Sequence, residues 1–273
     1  MAFNPLSSDL AIVWNVVAMI ISLVGVMAVV FINSIIQERE IFSVNVTRKL
    51  VHIFAAPVFV VSWLLFAGVW HDRFFAMVIP IVFVVMFSAI GSGRMKNEAF
   101  VTSMSRSGDA RELLYGTLFY AIVILLAAVF WFYNPGASAG STGVPTALVF
   151  LGCLAGGDGL ADIIGRKLGK FKFTVGESTK SVEGSLGMLF GSVVFTLVLM
   201  AIFNLAGAGL DLVALLPAIL IVSVVATVLE AVSPKNIDNW TIVIGVIVVL
   251  AILNWAAPDL WPYTLFGSLF GGA

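Results

Sequence analysis

Residues Leu10 to Ile32 read LAIVWNVVAMIISLVGVMAVVFI, a run without a single charge. Crossing roughly 30 Å of hydrocarbon takes about 20 apolar residues as an α-helix, and the backbone must satisfy its own hydrogen bonds there because no water is present. Unbroken runs of this kind exclude a barrel. Seven more follow: Leu50 to Val69, Phe74 to Ile90, Leu113 to Phe132, Val144 to Gly157, Ser185 to Leu205, Leu212 to Leu229 and Trp240 to Trp255. The fifth is short and runs into Asp158, and the tail from Leu260 to Phe270 reads as an interfacial segment or a half-helix. The chain of 273 residues is 61% hydrophobic and 11% charged, with a mean hydropathy of +1.11, outside the range of soluble domains. The expected fold is all-α: one polytopic integral membrane helix bundle over residues 1–273, with about eight transmembrane helices.

Cys153 is the one cysteine, which excludes an internal disulfide or a cysteine-based metal site. Met1 to Asp9 carry no basic residue, and the apolar stretch after them is too long for a signal-peptide core, so no cleavage is expected.

The connecting segments alternate in character. Of the 14 basic residues, only Arg73 falls in a segment of the even set; the others cluster at residues 39–49, 94–111, 166–180 and at Lys235. Basic residues in short loops stay on the cytoplasmic side, so both termini are expected on the non-cytoplasmic side. That places the protein in the cell (inner or plasma) membrane with its charged face toward the cytoplasm. Carboxylates follow the same split although insertion does not require it, which points to a functional site on that face. His71 and Arg73, in a short outer turn, read as solvated.

Residues 156–185 read GGDGLADIIGRKLGKFKFTVGESTKSVEGS. On a continuing helix Asp158 and Asp162 share a face and could hold one divalent cation. Gly157, Ala161, Gly165 and Gly169 make a stripe of small residues that lets a backbone or a phosphate come close. Arg166, Lys167, Lys170, Lys172 and Lys180 supply positive charge, and Ser181 suits an N-cap whose helix end favours phosphate. Carboxylates, cations and glycines together are the components of a metal-nucleotide site, although no Walker A loop is present. The competing reading is a basic topology signal whose cations pair with nearby carboxylates and anionic lipid.

Further groups join this face. Arg48, Lys49 and His52 stand at the mouth of the second span on one helix surface. Arg111 and Glu112 precede the fourth span, Glu230 ends the seventh, and Asp238 and Asn239 open the eighth after Pro234. A carboxylate at a helix start suits the dipole, but Glu230 at a helix end opposes it, which marks it as a site residue.

The pattern Asp158-x-x-Ala161-x-x-x-Gly165-Arg166-x-x-Gly169-Lys170, followed by Lys180-x-x-Glu183-Gly184, resembles the CTP-binding signature of the CTP-dependent polyprenol kinases: dolichol kinases, phytol and farnesol kinases, and CTP-dependent diacylglycerol kinases. Arg48-Lys49-x-x-His52 and Glu112 with Gly116 resemble further motifs of that family. Phosphatidate cytidylyltransferases are more distantly similar, but their C-terminal histidine-glycine run and Asp-Arg-x-Asp box are replaced here by Glu230 to Asn239. The resemblance implies phosphoryl transfer from CTP to a lipid alcohol such as dolichol or another polyprenol, phytol, geranylgeraniol or diacylglycerol. It implies Mg2+ at Asp158 and Asp162, with Glu183 as a further candidate, and a nucleotide-binding segment 158–184 contributing Gly165, Arg166, Gly169, Lys170, Lys180, Ser181, Glu183 and Gly184. Arg48, Lys49 and Asn239 would meet the transferring or lipid phosphate, and His52, Glu112, Glu230 or Asp238 would do proton chemistry. Two other readings stay open. A cytidylyltransferase would make a CDP-lipid, and a transporter would bind an anion in its inner vestibule and need charged or broken segments near mid-bilayer, for which the only candidates, Asn15, Asn33 and Asn204, lie near span ends.

Overall fold

A computed structural model describes residues 6, 8–105, 107–137, 143–176, 178–234 and 237–267. The charged residues Arg106, Glu177 and Lys235, most of the stretch from Met1 to Asp9, and the end of the tail at Phe270 lie outside the described residues. The helices are α1 (Ala11–Glu38), α2 (Val44–Val61), α3 (Asp72–Gly91), the short α4 (Glu98–Met104), α5 (Gly116–Phe130), α6 (Thr146–Leu151), α7 (Gly159–Leu168), α8 (Val182–Leu205), α9 (Leu212–Val232) and α10 (Asp238–Ala256). Among the described residues eight spans are long and apolar enough to cross a membrane, one at each expected position. The architecture is the expected polytopic helical bundle.

The fifth span departs from its expected limits. It begins at Thr146 and continues past Asp158 to Leu168, because a π-helical segment, Gly152–Asp158, joins α6 to α7 without a break. This helix is the centre of the bundle: 78% of its most apolar stretch is buried, against 28–44% for the other seven spans. Its glycines explain why. A Cβ on Gly191 of α8 would stand 2.4 Å from the carbonyl oxygen of Gly156, and one on Gly152 would stand 2.8 Å from the backbone of Thr196. Lipid supplies no hydrophobic drive between helices, so close backbone contact through small residues provides the attraction. The stripe from Gly157 to Gly169 serves the same contact: a Cβ on Gly184 would lie 3.0 Å from Ala161 O, and one on Gly169 would lie 2.7 Å from Oγ of Ser181, the N-cap of α8.

Between α7 and α8 the chain forms a hairpin that the hydropathy pattern does not announce. Strands β1 (Lys172–Val175) and β2 (Ser178–Ser181) pair antiparallel, Lys172 opposite Ser181 and Val175 opposite Ser178. Gly176, at φ +56°, takes the left-handed conformation at the reversal. Ser181 caps α8, its Oγ accepting from Gly184 N at 3.1 Å.

The opposite face is closed by a polar staple rather than by solvated side chains. Asp72 and Arg73 are buried, at 1% and 6% exposure, which corrects the solvated reading of this turn. The Asp72 carboxylate accepts from Asn15 Nδ2 at 2.8 Å, Gly68 N at 2.7 Å and Val69 N at 3.0 Å, and Asn15 Oδ1 accepts from Ala67 N at 2.9 Å. His71 Nδ1 lies 3.2 Å from the same Asn15 amide. The described part of the tail is not a half-helix. It runs irregularly back onto the bundle, burying Trp261 and stacking Phe266 on Trp131 at 5.3 Å. The even number of crossings returns residues 257–267 to the face where α1 begins.

Candidate active site

Helix α2 and the central span meet through charge. Lys49 Nζ lies 2.7 Å from Asp158 Oδ2, with only 4% of Asp158 exposed. His52, one turn along α2, brings Nε2 to 3.2 Å from the same oxygen and 3.0 Å from the carbonyl of Leu154 in the π-helical segment. Both neighbours are acceptors, so Nε2 carries the proton. From α5, Tyr120 stacks on the His52 ring at 4.0 Å and donates its hydroxyl to His52 O at 2.5 Å. A buried carboxylate is thus neutralised and fixed from two directions.

A second pair lies across the hairpin. Lys180 on β2 forms an ion pair with Glu230 and donates to the Glu230 carbonyl at 2.9 Å, in the last turn of α9. The cation offsets the unfavourable placement of a carboxylate at a helix C-terminus. On α7, Arg166 Nε lies 2.9 Å from Asp162 Oδ1, while Asp162 Oδ2 is buried and has no hydrogen-bond partner among the described residues.

Glu112 sits on a 3₁₀ turn, Ala110–Leu114, whose start is capped by Asp109. Its two oxygens accept from Ser105 Oγ at 2.9 Å and Ser107 Oγ at 3.0 Å. Asp238 is the first residue of α10 and forms no ion pair among the described residues. Its neighbour Asn239 donates Nδ2 to Gly116 O at 3.2 Å, tying α10 to α5.

These groups line one cavity of about 850 Å³. Arg48, Lys49, His52, Glu112, Asp158, Asp162, Gly165, Arg166, Lys180, Ser181, Gly184, Glu230, Asp238 and Asn239 all face it. Asp158 and Lys180 therefore share a space, as a common site requires. Gly169, Lys170 and Glu183 are not in its lining. Gly169 is pressed against Gly165 and Ser181, and Glu183 accepts from Phe171 N at 3.3 Å, a contact that steadies the start of the hairpin. Polar lining residues that the sequence reading left without a role include Ser178 and Thr179 of the hairpin, and Tyr120, whose link to His52 spans 68 residues. Lys172 was visible as a cation, but the strand pairing that aims it was not.

Away from the charged end the cavity becomes apolar. Val26 and Val30 of α1, Ala55 and Phe59 of α2, Ile79, Pro80, Phe83 and Phe87 of α3, and Ala121 and Ile124 of α5 line this limb. The arrangement can therefore take a ligand with a polar head and an apolar body. Among the described residues no three His, Cys, Asp or Glu side chains converge as a ready-made metal cage. Of the three asparagines weighed for a transport path, Asn15 and Asn204 are satisfied by backbone and Asp72 partners, whereas Asn33 is buried with neither amide atom bonded among the described residues.

No family model matches the chain, and no solved structure is significantly similar. Curated proteins do match. "Probable phytol kinase 3, chloroplastic" of Glycine max is 35% identical over 234 residues, 84% of this chain and 70% of that protein. "Phytol kinase 1, chloroplastic" of Arabidopsis thaliana is 33% identical over 208 residues, 76% of this chain and 65% of that protein. "Farnesol kinase, chloroplastic" of the same plant is 32% identical over 209 residues, again 76% and 65%. The chain spans about two thirds of the length of these relatives.

Proposed function

Because this chain belongs to the family of phytol and farnesol kinases, we propose that it is a lipid-alcohol kinase that transfers a phosphoryl group from CTP to an isoprenoid alcohol. The observation that carries this reading is the shape of the cavity: carboxylates and cations at one end, a buried apolar limb at the other. An isoprenoid alcohol has the matching polarity, with one hydroxyl on a hydrocarbon body. The choice of CTP rests on the likeness of the segment from Asp158 to Gly184 to the family's nucleotide signature. The charged face would be cytoplasmic by the distribution of basic residues.

Phosphoryl transfer asks a protein mainly for positioning and for charges set where charge develops. In this reading Arg48, Lys49, Arg166, Lys172 and Lys180 bind the phosphate oxygens, and Ser181 with the first turn of α8 adds backbone donors. Asp158 holds Lys49 and His52 in orientation. The alcohol oxygen attacks the terminal phosphorus while the bond to the CDP oxygen breaks, and the hydroxyl proton passes to Asp238, a cavity carboxylate without an ion pair among the described residues. The unpartnered buried oxygen of Asp162, with Asp158 one turn away, fits magnesium, which is usually held by one or two carboxylates together with substrate phosphates. Bound there, the ion would supply neutralisation of the phosphate charge.

Asp238→Asn tests the assignment. A lost proton acceptor should cut kcat by about a hundredfold or more while leaving the KM for CTP nearly unchanged. Unchanged kcat would remove Asp238 from the chemistry.

A further inference from the structure

The apolar limb of the cavity ends at a common level on four helices. Its deepest residues are Val26 on α1, Phe59 on α2, Ile79 on α3 and Ile124 on α5. One turn further on, Trp63, Ala76 and Ala127 are wholly buried and do not line the space. The edge of Phe59 meets Trp63 at 5.7 Å between ring centres, and Trp63 meets Phe132 at 5.1 Å, so the space below is filled with aromatic rings. The side walls are closed as well: Val26, Phe59, Ile79, Phe83 and Ile124 are each at most 9% exposed.

The depth of this limb can be read from helix rise. From His52 to Phe59 along α2, and from Phe87 to Ile79 along α3, the drop is about 10–12 Å at about 1.5 Å per residue. Carbon–carbon bonds of about 1.5 Å near tetrahedral angles advance about 1.25 Å each, so an isoprene unit of four chain carbons advances about 5 Å. Two to three extended units, on the order of that depth, reach the floor.

The geometry points to Phe59, backed by Trp63, as the residue that limits the chain length of the alcohol acceptor. This inference rests on the lipid-alcohol kinase reading and adds to it a chain-length gauge. An acceptor chain of two units lies fully within the limb, and the third unit of a farnesyl chain brings its end against the floor. A longer chain must fold back or displace packed rings, and interiors at crystal-like density resist that.

The test is steady-state kinetics of the purified full chain with CTP and a series of alcohols: geraniol, farnesol, geranylgeraniol and a long polyprenol. Wild-type kcat/KM should peak at farnesol and fall by about tenfold or more for the next unit, the scale of rejection by a packed apolar pocket. Phe59→Ala should move the peak to geranylgeraniol. Because that variant opens a cavity and could fold poorly, Val26→Phe, which fills the limb from the facing wall, should move the peak the other way, to geraniol. A wild-type profile that is flat beyond farnesol, or peaks that stay in place in both variants, overturns the floor. Absence of phosphorylation for every alcohol overturns the kinase reading itself.

Discussion

Lys49 and Asp158 are 109 residues apart in the chain and meet at 2.7 Å between Nζ and Oδ2, both largely out of solvent. The pair joins the second span to the central helix at the head of the cavity, so it is both a structural clasp and part of the proposed phosphate site.

Breaking that clasp from one side should cost more than removing it whole. Lys49→Met leaves a buried carboxylate with His52 as its remaining partner, a defect worth about 3–5 kcal/mol in comparable buried pairs. The variant should melt well below wild type in detergent, and adding Asp158→Asn should recover much of the loss. Equal melting of the single and double variants would mean the pair does not hold the helices together.

The closeness of α8 to the central helix makes a second prediction. Gly191→Ala places a methyl 2.4 Å from the Gly156 carbonyl, where only backbone movement can relieve it, at a cost of about 1–3 kcal/mol. Gly25→Ala meets only a Val58 side chain at 3.4 Å and should be tolerated. Thermal unfolding of the two variants in one detergent should separate them clearly. Matching melting temperatures would show that the crossing is looser than described.

The staple on the far face separates stability from chemistry. Asn15→Leu removes the amide donated to Asp72 and the acceptor for Ala67 N, leaving buried polar groups unpaired at about 1–3 kcal/mol. The melting temperature should fall while the kcat of the folded enzyme holds. A parallel loss of kcat would tie this face to the reaction.

Much of the architecture was written in the hydropathy of the chain. Runs such as Leu212 to Leu229 have no alternative to a membrane helix, and their observed ends differ by a turn or less. The first two spans are exceptions: Asn33 to Glu38 continue α1 and Val44 to Lys49 begin α2 although their polarity reads as a loop, since a helix end stays hydrogen-bonded beyond the apolar region. The central span was misjudged for a related reason. Asp158, Asp162 and Arg166 look like a loop in composition, yet Lys49, His52 and the i,i+4 pairing of Arg166 neutralise those carboxylates where they stand. Partners so distant in sequence leave no periodic trace.

Most of the expected site residues line the cavity because it draws on the first or last turn of several helices, where charge interrupts apolar runs. The exceptions follow from the hairpin. Lys172 and Lys180 reach the cavity from its strands, while Lys170 and Glu183 flank it and fall outside the lining. The positions of the cations along the sequence do not reveal that distinction. Tyr120 was legible only as part of an apolar helix, because its contact with His52 is made across the bundle.

The central claim, transfer of the terminal phosphoryl group to a lipid hydroxyl in this cavity, is tested most directly with CTP labelled separately at the γ and α phosphates, purified protein, magnesium and farnesol. The expected result is γ-label in a lipid monophosphate, no α-label in lipid, and loss of the signal in Asp158→Asn. Recovery of α-label in the lipid fraction, or undiminished γ-transfer by Asp158→Asn, would contradict it.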